Sequence, residues 1–366
     1  MVSAYKDMIF NESKLNYQIL DAIADLVRVV DANNRVIFVN EAMSRQLGYD
    51  VRTLMCKISG NEVSLNIAKR TIETGEIIQR EEIIKNLRYS VKCSPIKDSE
   101  GNVLGAVEVF RNTSTEHKLV TEIIDKNKKL TIEMAKAKKI QKSLLPKQGF
   151  MENLKVNYIF EPSSILSGDI FDIFKIDKEN FAIYISDTVG HGFASSMVTM
   201  FVRFIMRNLS TETLKVPSLT LAELQEKFAE LDLDLETYFT CFYGVYNQKK
   251  GQLTYSNAGH YPAPILLSEG EVEILEIPGY PITKFLNKAS YEDKTADLNI
   301  SDKLLLMTDG VVDAKNYHKE NYGIDRVVDI IKKNENGELS LLKKSLENFI
   351  RGDQKDDITE LLLKVW

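Results

Sequence analysis

The chain has 366 residues, enough for two or three domains that each bury a core. An apolar fraction of 44% with 27% charged residues describes an ordered globular protein, and no apolar run approaches the ~18 residues of a membrane span. The formal net charge is −6 and no basic block with interleaved aromatics occurs, so neither nucleic acid nor membrane is an expected partner.

In the N-terminal third, Leu26–Val30 and Arg35–Val39 read as strands around an Asp31–Asn34 turn. Asn40 is placed to cap a helix over Glu41–Leu47 that stops at Gly48. Leu87–Ser94 and Val103–Phe110 form a second hairpin around Asp98-Ser-Glu-Gly101, with Pro95 at the end of its first strand. This order gives an antiparallel sheet with small helices between its second and third strands. The three cysteines, Cys56, Cys93 and Cys241, are odd in number and far apart, which speaks against a disulfide framework. Cys56 and Cys93 read as packing residues. No secretion signal is recognisable at Met1–Lys6, so a cytoplasmic location is expected.

From Glu116 to Leu145 there is no glycine or proline. Val120, Ile123, Asn127, Leu130, Met134, Ala137, Gln141 and Leu144 repeat at alternating intervals of three and four, a heptad seam with Asn127 and Gln141 at a positions. The spacing predicts a parallel homodimer through a coiled coil that ends at Pro146. His117 reads as a surface residue of this helix.

After Pro146, four acidic positions, the last of them a pair, recur in one sort of context. Asp187 ends the apolar stretch Phe181–Ser186 and precedes Thr-Val-Gly-His-Gly192. Asp169 opens an apolar segment after Ser167-Gly168, Asp309 follows Lys303–Thr308 and precedes Gly310, and Asp356-Asp357 precede Ile358–Val365. A strand-end aspartate can cap a helix or belong to a site, but four of them, three beside glycine turns, exceed what capping explains. Converging carboxylates repel unless a hard cation neutralises them. The four histidines show no zinc-ligand spacing, so an ion here would have oxygen ligands, as Mg2+ or Mn2+ does. Two such ions roughly 3.5–4 Å apart would activate a water and clamp a phosphoryl group.

The N-terminal segment resembles a PAS sensor domain in Leu20–Ile23, Asp31 to Asn40, Leu47-Gly-Tyr49, Gly101–Gly105 and Arg111–Thr115. That family binds haem, flavin, small metabolites or nothing, and these residues do not choose, so the sensor ligand is unknown. The C-terminal motifs, Ser167-Gly-Asp169-Ile-Phe-Asp172, Asp187-Thr-Val-Gly-His-Gly192, Asn257-Ala-Gly-His260-Tyr-Pro262, Thr308-Asp-Gly310 and Asp356-Asp-Ile-Thr359, resemble in order the SpoIIE-like branch of the PPM metal-dependent phosphatases. Ala137–Pro146 is similar to that branch's entry segment, which packs on the catalytic core and acts as its switch.

The resemblance implies that Asp187 bridges two Mn2+ or Mg2+ ions with the Thr188 carbonyl beside it. It further implies that Asp309 and Asp356 bind one ion and that Asp169 serves near the other, directly or through water. Asp172 and Asp357 are weaker candidates that support ligands. Ser167 stands where the family has glycine, and no arginine lies between Met151 and Arg203 to grip phosphate. His191 and His260 are read as packing or hydrogen-bonding groups.

The expected architecture is α+β. It comprises an extension (1–13), a PAS antiparallel sheet (14–115), a coiled-coil linker and switch helix (116–146) and an αββα phosphatase sandwich (147–366). The expected activity is that of a signal-regulated serine/threonine phosphoprotein phosphatase. By resemblance to stress-response and sporulation phosphatases, its substrate would be a phosphorylated STAS-type anti-sigma-factor antagonist. A non-catalytic sensor scaffold and a hydrolase of small phosphates are the alternatives. The Gly190–Gly192 turn is read as the hinge through which the linker positions Asp187.

Overall fold

The computed structural model describes residues 15, 17–47, 62–190, 192–231, 233–234, 236–286, 289–333, 337–350 and 354–366. Cys56, Gly48-Tyr49 and His191 lie outside these. The chain divides into two compact units, Met1–Lys129 and Leu130–Trp366.

The first unit contains β1 (Leu26–Asp31), β2 (Val36–Val39), α1 (Glu41–Leu47), α2 (Glu62–Thr74), β3 (Ile78–Ile84), β4 (Leu87–Lys97) and β5 (Val103–Asn112). Its antiparallel sheet has the order β2-β1-β5-β4-β3. Asn40 caps as its position predicts: its Oδ1 accepts from the amides of Met43 (3.0 Å) and Val27 (3.0 Å). The core gathers Leu26, Val30, Met43, Ile67, Tyr89, Val91, Cys93 and Phe110. Cys93 is a packing residue, and burial pushes its thiol up to about 11, away from thiolate chemistry. A buried Arg28–Glu108 ion pair crosses from β1 to β5.

Helix α3 (Ser114–Leu144) runs through the division between the units at Lys129. His117 is exposed on it, as are Val120, Ile123 and Leu130 of the heptad seam. Gln141 departs from the heptad reading. It is 1% exposed and turned into its own unit, so it is not an open seam position. One heptad pattern therefore serves two surfaces along a single helix.

The second unit continues with β6 (Gly149–Met151), β7 (Leu154–Glu161), β8 (Asp169–Lys175), β9 (Asn180–Thr188), α4 (Phe193–Asn208), α5 (Thr211–Leu214) and α6 (Pro217–Ala229). Strands β10 (Tyr238–Asn247), β11 (Gln252–Ala258), β12 (Ile265–Ser268), β13 (Glu271–Ile274), β14 (Ile282–Thr283), β15 (Lys294–Asp297) and β16 (Lys303–Met307) come next. The chain closes with α7 (Asp309–Val312), α8 (Ile324–Lys333), α9 (Glu338–Phe349) and β17 (Ile358–Val365). One sheet has the order β15-β11-β10-β9-β8 with β14 on β10, and the other the order β13-β12-β16-β17-β7-β6.

Side-chain alternation sorts these strands into layers. Phe181, Ile183 and Ile185 of β9 meet Leu361 and Leu363 of β17 in a core between the sheets. Ala182 and Tyr184 face outward under α4 and α6, while Ile358 and Leu362 face outward under α8 and α9. The result is the expected αββα sandwich.

Candidate active site

Period two along the strands decides which acids can meet. On β8, Asp169 has the parity of Phe171 and Ile173, which point between the sheets, whereas Asp172 has the parity of Ile170 and Phe174, which point to the helices. Asp187 shares the inward parity of Ile183 and Ile185, and Asp169 is its register partner on the neighbouring strand. From the second sheet, Asp309 opens α7 and Asp356 precedes β17. The two sheets thus deliver two acids each to one end of the sandwich.

Their mutual repulsion is visible in their protonation. Burial first, then the charges of Asp309 and Asp356, push the Asp187 carboxyl up to about 7. Burial and Asp356 push Asp309 up to about 6. Burial, Asp187 and Asp357 hold Asp169 well above the usual carboxylate range. No lysine or arginine is among the groups that move these three carboxyls. The donor set is all oxygen, short of positive charge and close enough for its charges to repel, which fits hard divalent cations. Among the described residues, no three His, Cys, Asp or Glu side chains already form a closed metal cage.

The hydroxyls that hold Asp169 were not assigned roles from sequence. Thr308 Oγ1 (2.9 Å) and Thr359 Oγ1 (2.6 Å) both donate to Asp169 Oδ2, tying β8 of one sheet to the other sheet. Both threonines stand inside the quoted motifs, beside Asp309 and two residues after Asp357, so the signal was their place next to acids.

Asp357 and Asp172 both direct their oxygens to protein hydrogen-bond donors, Asp357 at the loop before Asp169 and Asp172 on the helix side. Asp357 Oδ1 accepts from the Ser163 amide (2.6 Å) and hydroxyl (2.9 Å), and Oδ2 from the Ser167 hydroxyl (2.8 Å) and Gly168 amide (2.7 Å). Ser167 is therefore more than a tolerated replacement for glycine, since its Oγ also accepts from the Asp169 amide (3.0 Å). Gly310 is required by close approach: a Cβ there would lie 2.0 Å from the Asp357 carbonyl oxygen. Asp172 accepts from Arg207 Nε (2.8 Å) on the helix side, with Arg203 Nη2 at 3.5 Å. Asp172→Asn is expected to leave turnover within about twofold and cost about 1–3 kcal/mol of stability. Asp357→Ala should cost a similar amount and also raise the Mn2+ concentration needed for activity, as urea melts and metal titrations of both variants would show.

His260 is engaged at both ring nitrogens, donating from Nε2 to the Met307 carbonyl (3.0 Å) and meeting Thr240 Oγ1 at Nδ1 (3.2 Å). Burial lowers it to about 4, so it is neutral and is a hydrogen-bonding group rather than an acid. The contact from α3 is made to the loop before Asp169. Gln141 Nε2 donates to the Ser167 carbonyl (2.8 Å) and its Oε1 accepts from the Ser167 amide (3.1 Å). The helix thus grips the loop leading to Asp169, and that loop packs closely on the Gly190 turn: a Cβ on Gly168 would press on the Gly190 and Thr188 carbonyls at 3.0 and 3.1 Å. The buried Thr188 amide donates to the Gly168 carbonyl (3.0 Å).

The sequence model of the family described as Stage II sporulation protein E (SpoIIE) matches residues 177–366, more than half of the chain, and a PAS domain model matches 14–80. The chain belongs to the SpoIIE family. Among the relatives of this SpoIIE-family chain, Protein IcfG of Synechocystis sp. is 27% identical over 293 residues, covering 72% of this chain and 46% of that protein. Phosphoserine phosphatase RsbP of Bacillus subtilis is 29% identical over 184 residues, covering 50% of this chain and 45% of that protein. The chain thus spans about half the length of the curated relatives it matches. The SiaA PP2C domain of Pseudomonas aeruginosa superposes with a TM-score of 0.56 at 21% identity, over 66% of this chain and 98% of that one, and so shares the fold.

Proposed function

We propose that this SpoIIE-family chain is a metal-dependent serine/threonine phosphoprotein phosphatase regulated through its PAS unit. The observation that carries the reading is the convergence of Asp169, Asp187, Asp309 and Asp356, three of which, Asp169, Asp187 and Asp309, have carboxyls pushed upward by burial first and then by neighbouring aspartate charges. These four, with the Thr188 carbonyl, would hold two Mn2+ or Mg2+ ions, with Asp187 shared between them. When bound, such ions lower the pKa of a coordinated water and stabilise charge on a phosphoryl group.

The chain's own residues prepare that chemistry. Thr308 and Thr359 hold one oxygen of Asp169, and Asp357 with Ser167 holds the loop that delivers Asp169. Neutral His260 ties β10 to the end of β16 just before Asp309.

The substrate proposed is a phosphorylated STAS-type antagonist of an anti-sigma factor; the likeness to a phosphoserine phosphatase supports the phosphoserine part. We assign 1–13 to an extension, 14–115 to the sensor, 116–146 to linker and switch, and 147–366 to the phosphatase, working in the cytoplasm. A parallel homodimer is supported by the exposed Val120, Ile123 and Leu130 on α3. With excess Mn2+ the purified chain should hydrolyse phosphoserine protein and an aryl phosphate and leave nucleotides untouched. Faster turnover of nucleotides would replace this reading with a small-phosphate hydrolase, and no turnover of any of them with a scaffold.

Regulation has a physical handle at Gln141. Gln141→Ala removes both bonds to Ser167 and leaves a buried amide and carbonyl without partners, a cost of about 1–3 kcal/mol. The expected result is a roughly tenfold rise in the Mn2+ concentration for half-maximal activity. An unchanged metal requirement would detach the helix from the site.

A further inference from the structure

Outside the aspartate cluster, the described residues contain one carboxylate placed where an apolar side chain would serve the fold better. Glu360 has the outward parity of Ile358 and Leu362 on β17, opposite to Thr359 and the candidate site. It is 0% exposed, and among the described residues neither of its carboxylate oxygens has a hydrogen-bond partner. A buried acid with no partner is strongly disfavoured, so its presence under α9 calls for an occupant.

The space for one is present. A cavity of about 220 Å3 lies between β7, β17 and α9, floored by Glu360 and walled by Ile358, Leu346 and Ile350. Glu161 and Glu347 stand at its polar side with Lys343, which is already ion-paired to Glu161 and 3.8 Å from Glu347. Acids therefore outnumber bases around the cavity, and its one lysine is committed. An anion would be repelled. A bare metal ion would face apolar walls on one side and lack the six or more oxygens such ions take.

We propose that this cavity binds a small organic cation, an ammonium or guanidinium group on a short apolar stem, with the charged end on Glu360 and the stem against Ile358 and Leu346. The protonation of Glu360 agrees: burial first, then Glu161 on β7, push its carboxyl up to about 8, with Lys343 on α9 opposing. A cation against it would favour the ionised form and draw that value down. The occupant would also adjoin Gln354, which lines the same cavity and donates to the carbonyls of Glu161 (2.9 Å) and Asp356 (2.6 Å). One side chain thus separates this cavity from the segment carrying Asp356.

Agmatine titrated calorimetrically into the full chain in EDTA is the test. The expected result is saturable binding of one agmatine per chain, weakened at least tenfold in Glu360→Gln, while butyrate of similar length does not bind. In wild-type protein, the 13C carboxyl resonance of Glu360 should titrate lower by about one unit or more when agmatine is present, a readout that needs no variant. Absence of saturable binding, equal affinity in Glu360→Gln, butyrate binding as well as agmatine, or an unmoved Glu360 titration would each overturn the proposal.

Discussion

Asp187→Asn is expected to lower phosphatase turnover on the order of a thousandfold or more while making the metal-free protein more stable. The two effects have one cause. Asp187 is mostly buried between Asp169 on its own sheet and Asp309 and Asp356 from the other, and its carboxyl rises to about 7 because ionising it there is unfavourable. An amide keeps the shape and removes that charge, so the apo protein gains what the site costs. A cation loses its shared ligand by the same change. Loss of activity accompanied by loss of stability would instead indicate a structural aspartate.

The second large effect is the pH dependence of metal-free stability. Asp187 and Asp309 have folded-state values of about 7 and about 6, raised above the ordinary aspartate value of 3.8. A carboxyl raised by folding holds its proton more tightly in the native state. Its contribution is therefore fully present below the unfolded value and is lost as pH rises through the folded one. In EDTA the stability of the second unit should fall between about pH 4 and pH 7 by a few kcal/mol in all, lowering its melting temperature on the order of 10 °C. Glu360, at about 8, extends the fall at its upper end. Excess Mn2+ should reverse the trend, because a cation binds the ionised carboxylates, and stability would then rise with pH. Asp187→Asn should flatten the metal-free slope.

How much of this was legible in the sequence differs from residue to residue. The strand-end aspartates could be found because an apolar strand, an acid and a glycine stand in line, and local pattern alone shows them. That Asp172 turns away from the site follows from its three-residue offset from Asp169 on one strand, a period-two argument open to the sequence but decided only once β8 was known to begin at Asp169. The partners of Asp169 were not legible. Thr308 and Thr359 are 139 and 190 residues away, and only sheet packing brings them to one oxygen. The same holds for Asp357, whose four donors come from the segment 163–168.

The α3 helix shows the opposite failure. Its heptad spacing was read correctly, but spacing does not say what a seam faces, and at Gln141 it faces the backbone of Ser167. A polar residue at an a position suggested register in a dimer. In this chain the same amide forms a two-point clamp on the loop that carries Asp169. Glu360 was passed over altogether, since a single acid in the strand Ile358–Val365 carries no periodic signal that sets it apart from an exposed one.

The central claim is that four aspartates from two sheets make a binuclear hard-cation site. Its most direct measurement is a calorimetric Mn2+ titration of the purified chain alongside Asp187→Asn, with Asp172→Asn as the control. Two ions per chain are expected in the wild type and in Asp172→Asn, with binding lost or reduced to weak single-site behaviour in Asp187→Asn. Equal Mn2+ binding by wild type and Asp187→Asn, or none by the wild type, would contradict it.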